Sequence, residues 1–191
     1  MKVGLFFGSF NPIHTGHMVL ANYMLEFTDL DKVWFIVSPH NPLKQKNSLL
    51  HERHRLQMTA LAIGENNKMK ASDIEFKLPQ PSYTINTLMH LQEKYADHHF
   101  VLIMGADNLE NFHKWKNYEE ILKHFELYVY PRPGISGGDL SAHKQVRLVN
   151  APLMEISSTD IRNAIKERKD VRYFVPGATW EYIKEMHFYE K

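Results

Sequence analysis

Cysteine is absent from the sequence, and that one absence removes a disulfide scaffold, a thiolate zinc site and a cysteine nucleophile together. An excess of charge is lacking too. The 23 Lys and Arg stand against 22 Asp and Glu, a formal net charge of +1, so no global field argues for nucleic acid or a membrane surface as partner. The 12 histidines can raise that charge somewhat near neutral pH, where imidazole titrates. Long apolar runs are missing: no stretch approaches the roughly 18 residues a bilayer-spanning helix requires. The opening run from Met1 stops at Gly8-Ser9, with no small-residue cleavage pattern after it, so the expectation is a cytoplasmic protein without a signal peptide. Internal repeats, low-complexity tracts and linkers are likewise missing. What remains is 191 residues, 43% hydrophobic and 24% charged. That balance predicts one domain over residues 1–191, with a core that needs no staples. Nothing in it excludes assembly into a homo-oligomer.

Short apolar runs alternate with helical patterns from end to end. Lys2 to Phe7, Val33 to Val37, Phe100 to Met104 and Glu126 to Tyr130 read as buried strands, with shorter ones within Met69–Phe76 and Gln145–Val149. Helical spacing covers Thr15–Phe27, His51–Ile63 (on Leu56, Ala60 and Ile63, stopped by Gly64), Thr84–Tyr95, the stretch up to Lys123, Ser158–Arg168 and Ala178–Tyr189. This alternation predicts an α/β fold, a Rossmann-like, doubly wound, mostly parallel sheet with helices on both faces and a small C-terminal helical part. Ligands of such sheets bind beyond the carboxyl ends of the strands. The segments that should converge there are Gly8–His17, Ser38–Lys46, Gly105–Trp115, Arg132–Gly138 and Glu155–Arg162.

Two of these segments carry chemistry. After the first strand, Gly8 and Ser9 let backbone N–H groups approach an anion. His14 and His17, three residues apart at a helix start, can face one ligand beside the helix N-terminus. Taken alone, the segment could also be a strand-turn-helix connection with histidines as surface or cap residues. A zinc pair would need a third protein ligand. Near the C-terminus, Ser157, Ser158 and Thr159 open a helix, where one hydroxyl can cap and the others donate to phosphate. Arg162 lies on the same side with a forked cation; the plain alternative is capping with Arg162 in solvent.

Ser9-Phe10-Asn11-Pro12-Ile13-His14-Thr15-Gly16-His17 resembles the T/S-F-D-P-x-H-x-G-H signature of the HxGH nucleotidyltransferases, and Ile156-Ser157-Ser158-Thr159-Asp160-Ile161-Arg162 resembles their I-S-S-T-x-I-R. Further stretches resemble bacterial nicotinate-mononucleotide adenylyltransferases in particular: Pro81-Ser82-Tyr83-Thr84-Ile85, Gly105-Ala106-Asp107 with Trp115 downstream, Arg132-Pro133-Gly134, Asn41-Pro42-Leu43-Lys44, and Phe174-Val175-Pro176. The chain departs from that pattern at Phe7, where a second glycine is usual, at Asn11, where Asp is usual, and at Leu43, where His is common.

The resemblance implies transfer of the adenylyl group of ATP to nicotinate mononucleotide, with Mg²⁺ held mainly by the ATP phosphates and by water. It implies catalytic roles for His14, His17, Lys44 and Arg162. ATP would be held by Gly8, Ser9, Phe10, His14, His17, Gly105, Asp107, Ile156, Ser157, Ser158 and Arg162. The mononucleotide would be held by Asn11, Lys44, Tyr83, Thr84, Trp115 and Arg132, with Trp115 stacked on the pyridine ring. Trp115 as a core aromatic and Asp107 as a helix cap are the structural alternatives. No protein metal site is expected. Two other functions stand beside this one: another adenylyltransferase of the superfamily, acting on nicotinamide mononucleotide or phosphopantetheine, and a non-catalytic nucleotide-binding protein.

Overall fold

A computed structural model describes residues 1–39 and 49–191. Six strands, β1 (Lys2–Gly8), β2 (Lys32–Val37), β3 (Met69–Ser72), β4 (His99–Gly105), β5 (Glu126–Tyr130) and β6 (Val146–Leu148), form one sheet in the order β3-β2-β1-β4-β5-β6. Every pairing between them is parallel, so the expectation of a mostly parallel sheet is met in full among the described residues. The strand order reverses at β1, which lies between β2 and β4, and the crevice of a doubly wound sheet opens above that point.

Side-chain alternation divides the core. Phe6, Phe35, Val101 and Ile103 face one way and pack with α1 (Thr15–Phe27), α2 (Glu52–Ile63), α6 (Ser158–Lys166) and α7 (Gly177–Glu185). Val3, Leu5, Trp34, Ile36 and Leu102 face the other and pack with α3 (Thr84–Lys94), α4 (Ala106–Glu110) and α5 (Tyr118–His124). Both faces are thus covered, which explains why the strands read as continuous apolar runs. No helix among the described residues is long and apolar enough to cross a membrane.

Two details sharpen the sequence reading, and a third, the end of the last helix, departs from it. Helix α2 buries Arg55, Met58 and Thr59 most deeply, while Leu56 and Ile63 pack half-buried against the same core and Ala60 is exposed. The short strand expected within Met69–Phe76 is Met69–Ser72, and a 3₁₀ turn follows over Ile74–Lys77. The last helix stops at Glu185, four residues before Tyr189, and Tyr189 takes a left-handed φ of 67°.

Candidate active site

A cleft of about 840 Å³ lies over the carboxyl ends of β1 and β4. Its volume suits a ligand of dinucleotide size. Of the residues the sequence nominates, Gly8, Ser9, Phe10, Asn11, His14, His17, Tyr83, Thr84, Asp107, Trp115, Arg132, Ile156, Ser157, Ser158 and Arg162 all line it. Gly105 sits just behind Asp107, and Lys44, with the Asn41–Lys44 stretch, lies outside the described residues.

The wall nearest β1 is built on close packing. A Cβ on Gly8 would stand 2.8 Å from the Phe10 ring, so only glycine fits there. Phe10 is itself buried with a φ of 46° and packs edge-on to His17, with centroids 5.2 Å apart. The turn ends at His14, which caps α1. The backbone N–H of His14 donates to His17 Nδ1 at 3.2 Å. An Nδ1 that accepts leaves the proton of a neutral His17 on Nε2, the tautomer that can donate to an anion.

The two imidazoles stack with centroids 3.7 Å apart. His14 is 6% exposed, and its Nδ1 has no hydrogen-bond partner among the described residues. Burial, aided by the nearby Arg132, pulls its pKa down to about 4. His14 is therefore neutral at physiological pH, and it can meet a phosphate as a hydrogen-bonding group, not as an ion.

The second signature closes on the first. Ser157 accepts from the Asp160 N–H at 3.1 Å and caps α6. Ser158 Oγ donates to the carbonyl of Pro12 at 2.9 Å. Arg162 donates from Nη1 to the carbonyl of Asn11 at 2.8 Å and from Nη2 to Thr159 Oγ1 at 3.3 Å. Arg162 is thus held in place, not left in solvent.

Across the cleft, Arg132 Nε donates to Asp107 Oδ1 at 3.3 Å. A Cβ on Gly105 would collide with that carboxylate and reach within 3.0 Å of Arg132 Nε, so the pair depends on the glycine. Asp107 is not the cap of its helix, a position that Gly105 takes. Trp115 is half-buried against Phe112, 5.1 Å between centroids, and so belongs both to the core margin and to the cleft wall. Tyr83 caps α3, with Thr84 as its first residue.

Two residues that shape the site are not among those the sequence nominates. Arg55 is 0% exposed and donates to the carbonyls of Leu50, Ser9, Ser38 and Pro39 at 2.6–2.9 Å. It braces the segments after β1 and β2 from behind, and burial lowers its pKa to about 10. Tyr189 donates from its hydroxyl to Asn11 Oδ1 at 2.8 Å, where the Leu50 N–H also donates at 3.3 Å. A charged residue on an otherwise buried helix face is the one signal that could have found Arg55.

A model of cytidylyltransferase-like proteins matches residues 5–164. A protein of Flavobacterium johnsoniae named probable nicotinate-nucleotide adenylyltransferase is 54% identical over 193 residues, covering 100% of both chains. One of the same name from Cytophaga hutchinsonii is 57% identical over 189 residues, 99% of this chain and 98% of its own. Among solved structures, the Plasmodium falciparum nicotinic acid mononucleotide adenylyltransferase complexed with NaAD superposes with a TM-score of 0.83, over 99% of this chain and 97% of that one. At 18% identity that likeness speaks to the fold alone. By sequence, the chain belongs to the cytidylyltransferase-like family, in its nicotinate-nucleotide adenylyltransferase branch.

Proposed function

We propose that this chain, acting as one domain over residues 1–191, transfers the adenylyl group of ATP to nicotinate mononucleotide, a step of NAD biosynthesis. The observation that carries this reading is the joining of the two signature segments through Arg162 and Asn11 in a cleft that also holds Tyr83, Thr84 and Trp115. One end thus offers donors to a polyphosphate and the other an aromatic wall to a ring.

In the reaction, a phosphate oxygen of the mononucleotide attacks the α-phosphorus of ATP. A new P–O bond forms, the α–β bridge bond breaks, and its electron pair leaves on pyrophosphate. The attacking phosphate is already ionised, so no side-chain nucleophile or general base is required. Catalysis rests on alignment and on donors for the charge that grows on the leaving oxygens. His17, through Nε2–H, and neutral His14 serve the α/β region. Arg162 and Lys44 serve the outer phosphates, Arg132 the mononucleotide phosphate, and Asp107 the adenosine ribose. Mg²⁺ would be held mainly by the ATP phosphates and by water, which suits an ion that keeps its hydration.

Pyrophosphate release with ATP and either mononucleotide tests the reading. Faster turnover of nicotinate mononucleotide is expected. Preference for the nicotinamide form would move the chain to a sister activity, and no release with either would leave a nucleotide-binding protein.

A further inference from the structure

Two lysines on the cleft wall, Lys114 and Lys116, are not used by the reaction above. Lys116 follows Trp115 in the chain and lines the same cleft. Its Nζ stands 4.2 Å from the centroid of the Tyr83 ring, a geometry in which the ring face attracts an ammonium. The other cleft-lining cations are already engaged by oxygen: Arg162 by Asn11 and Thr159, Arg132 by Asp107, and Lys114 by Asn111. Lys116 has no carboxylate within ion-pair distance among the described residues. Glu75, the other carboxyl on the cleft wall, is buried and accepts from Thr87 Oγ1 at 2.8 Å.

The charge that changes during adenylyl transfer is all on phosphate, so a cation pinned to the ring wall does nothing for that step. It does matter for what the ring carries. Nicotinate mononucleotide has a carboxylate there and nicotinamide mononucleotide a neutral carboxamide. We infer that Lys116 is a specificity-determining residue, its ammonium docked on Tyr83 so as to favour a ring bearing a carboxylate over one bearing an amide. This inference rests on the proposed function and names the group that sets its acid preference.

The test is the ratio of kcat/KM for the two mononucleotides in the wild type, K116A, K116E and K116R; if the amide turns over too slowly, its inhibition constant set against the dissociation constant of the acid reports the same preference in binding. Exposed charge pairs are weak, so K116A should lower the acid-to-amide ratio by about two- to fivefold and K116E by about tenfold. K116R keeps the cation and should stay within about twofold of the wild type. Raising salt should shrink the ratio in the wild type and leave K116A unmoved. An unchanged ratio in K116E, or equal losses on both substrates, overturns the role of Lys116 and leaves the adenylyltransferase reading standing. A wild type that uses neither mononucleotide removes both.

Discussion

Arg162 Nη1 donates to the main-chain carbonyl of Asn11 at 2.8 Å across 151 residues of chain. One guanidinium therefore holds the two signatures in register and can present its remaining N–H groups to phosphate. R162A should lower kcat/KM for ATP on the order of a hundredfold. R162K keeps a charge but loses the fork, and it should recover only part of that loss. Pyrophosphate release within twofold of wild type in R162A would remove the residue from the mechanism.

The histidine pair separates into two experiments. H17A removes the donor on Nε2 and should reduce kcat on the order of a hundredfold, read by single-turnover kinetics. His14 is best probed through stability. Its folded pKa of about 4 lies below the ordinary 6.5, so its contribution is complete above pH 6.5. It is lost as pH falls toward 4, because the unfolded chain takes up the proton first. Urea midpoints measured across that window should fall further for the wild type than for H14N; parallel losses would show that His14 titrates normally.

Arg55 has four carbonyl acceptors and no exposed surface. R55M matches its bulk but leaves those oxygens unpaired in the interior, a loss of about 3 kcal/mol or more in urea unfolding. R55K should fall between the two. Wild-type stability in R55M would mean that the loops after β1 and β2 hold their shape without it.

Asn11 and Tyr189 invite a double-mutant cycle. Y189F removes the hydroxyl that donates to Asn11 Oδ1 and should cost about 1 kcal/mol. N11A should cost more, since the Leu50 N–H loses its acceptor as well. The double variant should cost less than the sum, by a coupling of about 1 kcal/mol. In N11D a carboxylate can accept from both donors, so the fold should be kept within about 1 kcal/mol of the wild type. Strict additivity in the cycle would show that the hydroxyl and the amide act independently.

The architecture was legible because β1, β2, β4 and β5 are short apolar runs closed by a turn, whereas β3 (Met-Lys-Ala-Ser) and β6 (Val-Arg-Leu) carry only a weak signal. Helix α1 and β5 match the sequence bounds residue for residue. In α2 the helix lies where the spacing places it, but its buried Arg55 was not legible, since a guanidinium satisfied by carbonyls has no apolar signature. The C-terminal helix ends four residues short of Tyr189, which is half-buried outside it and joins Asn11 through its hydroxyl. The cleft residues were legible as local strings. Their supports were not: Arg55 lies 46 residues from Ser9, and Tyr189 lies 178 from Asn11. No local pattern encodes a partner at that distance.

The turn after β1 has its oxygens held from the protein side. Arg55 takes the carbonyl of Ser9, Arg162 that of Asn11, and Ser158 that of Pro12. The peptides that follow Ser9 and Pro12 carry an N–H opposite the engaged oxygen, whereas the one that follows Asn11 has none because its nitrogen is that of Pro12, so the strip acquires an electrical sidedness at two peptides that no side chain within it supplies. The N–H groups that the turn can offer an anion are accordingly oriented by Arg55 and Ser158, while Arg162 ties the turn to α6. Drift in the sequence of the turn itself, such as Asn11 in place of an aspartate, leaves that polarity in place as long as Arg55, Ser158 and Arg162 remain.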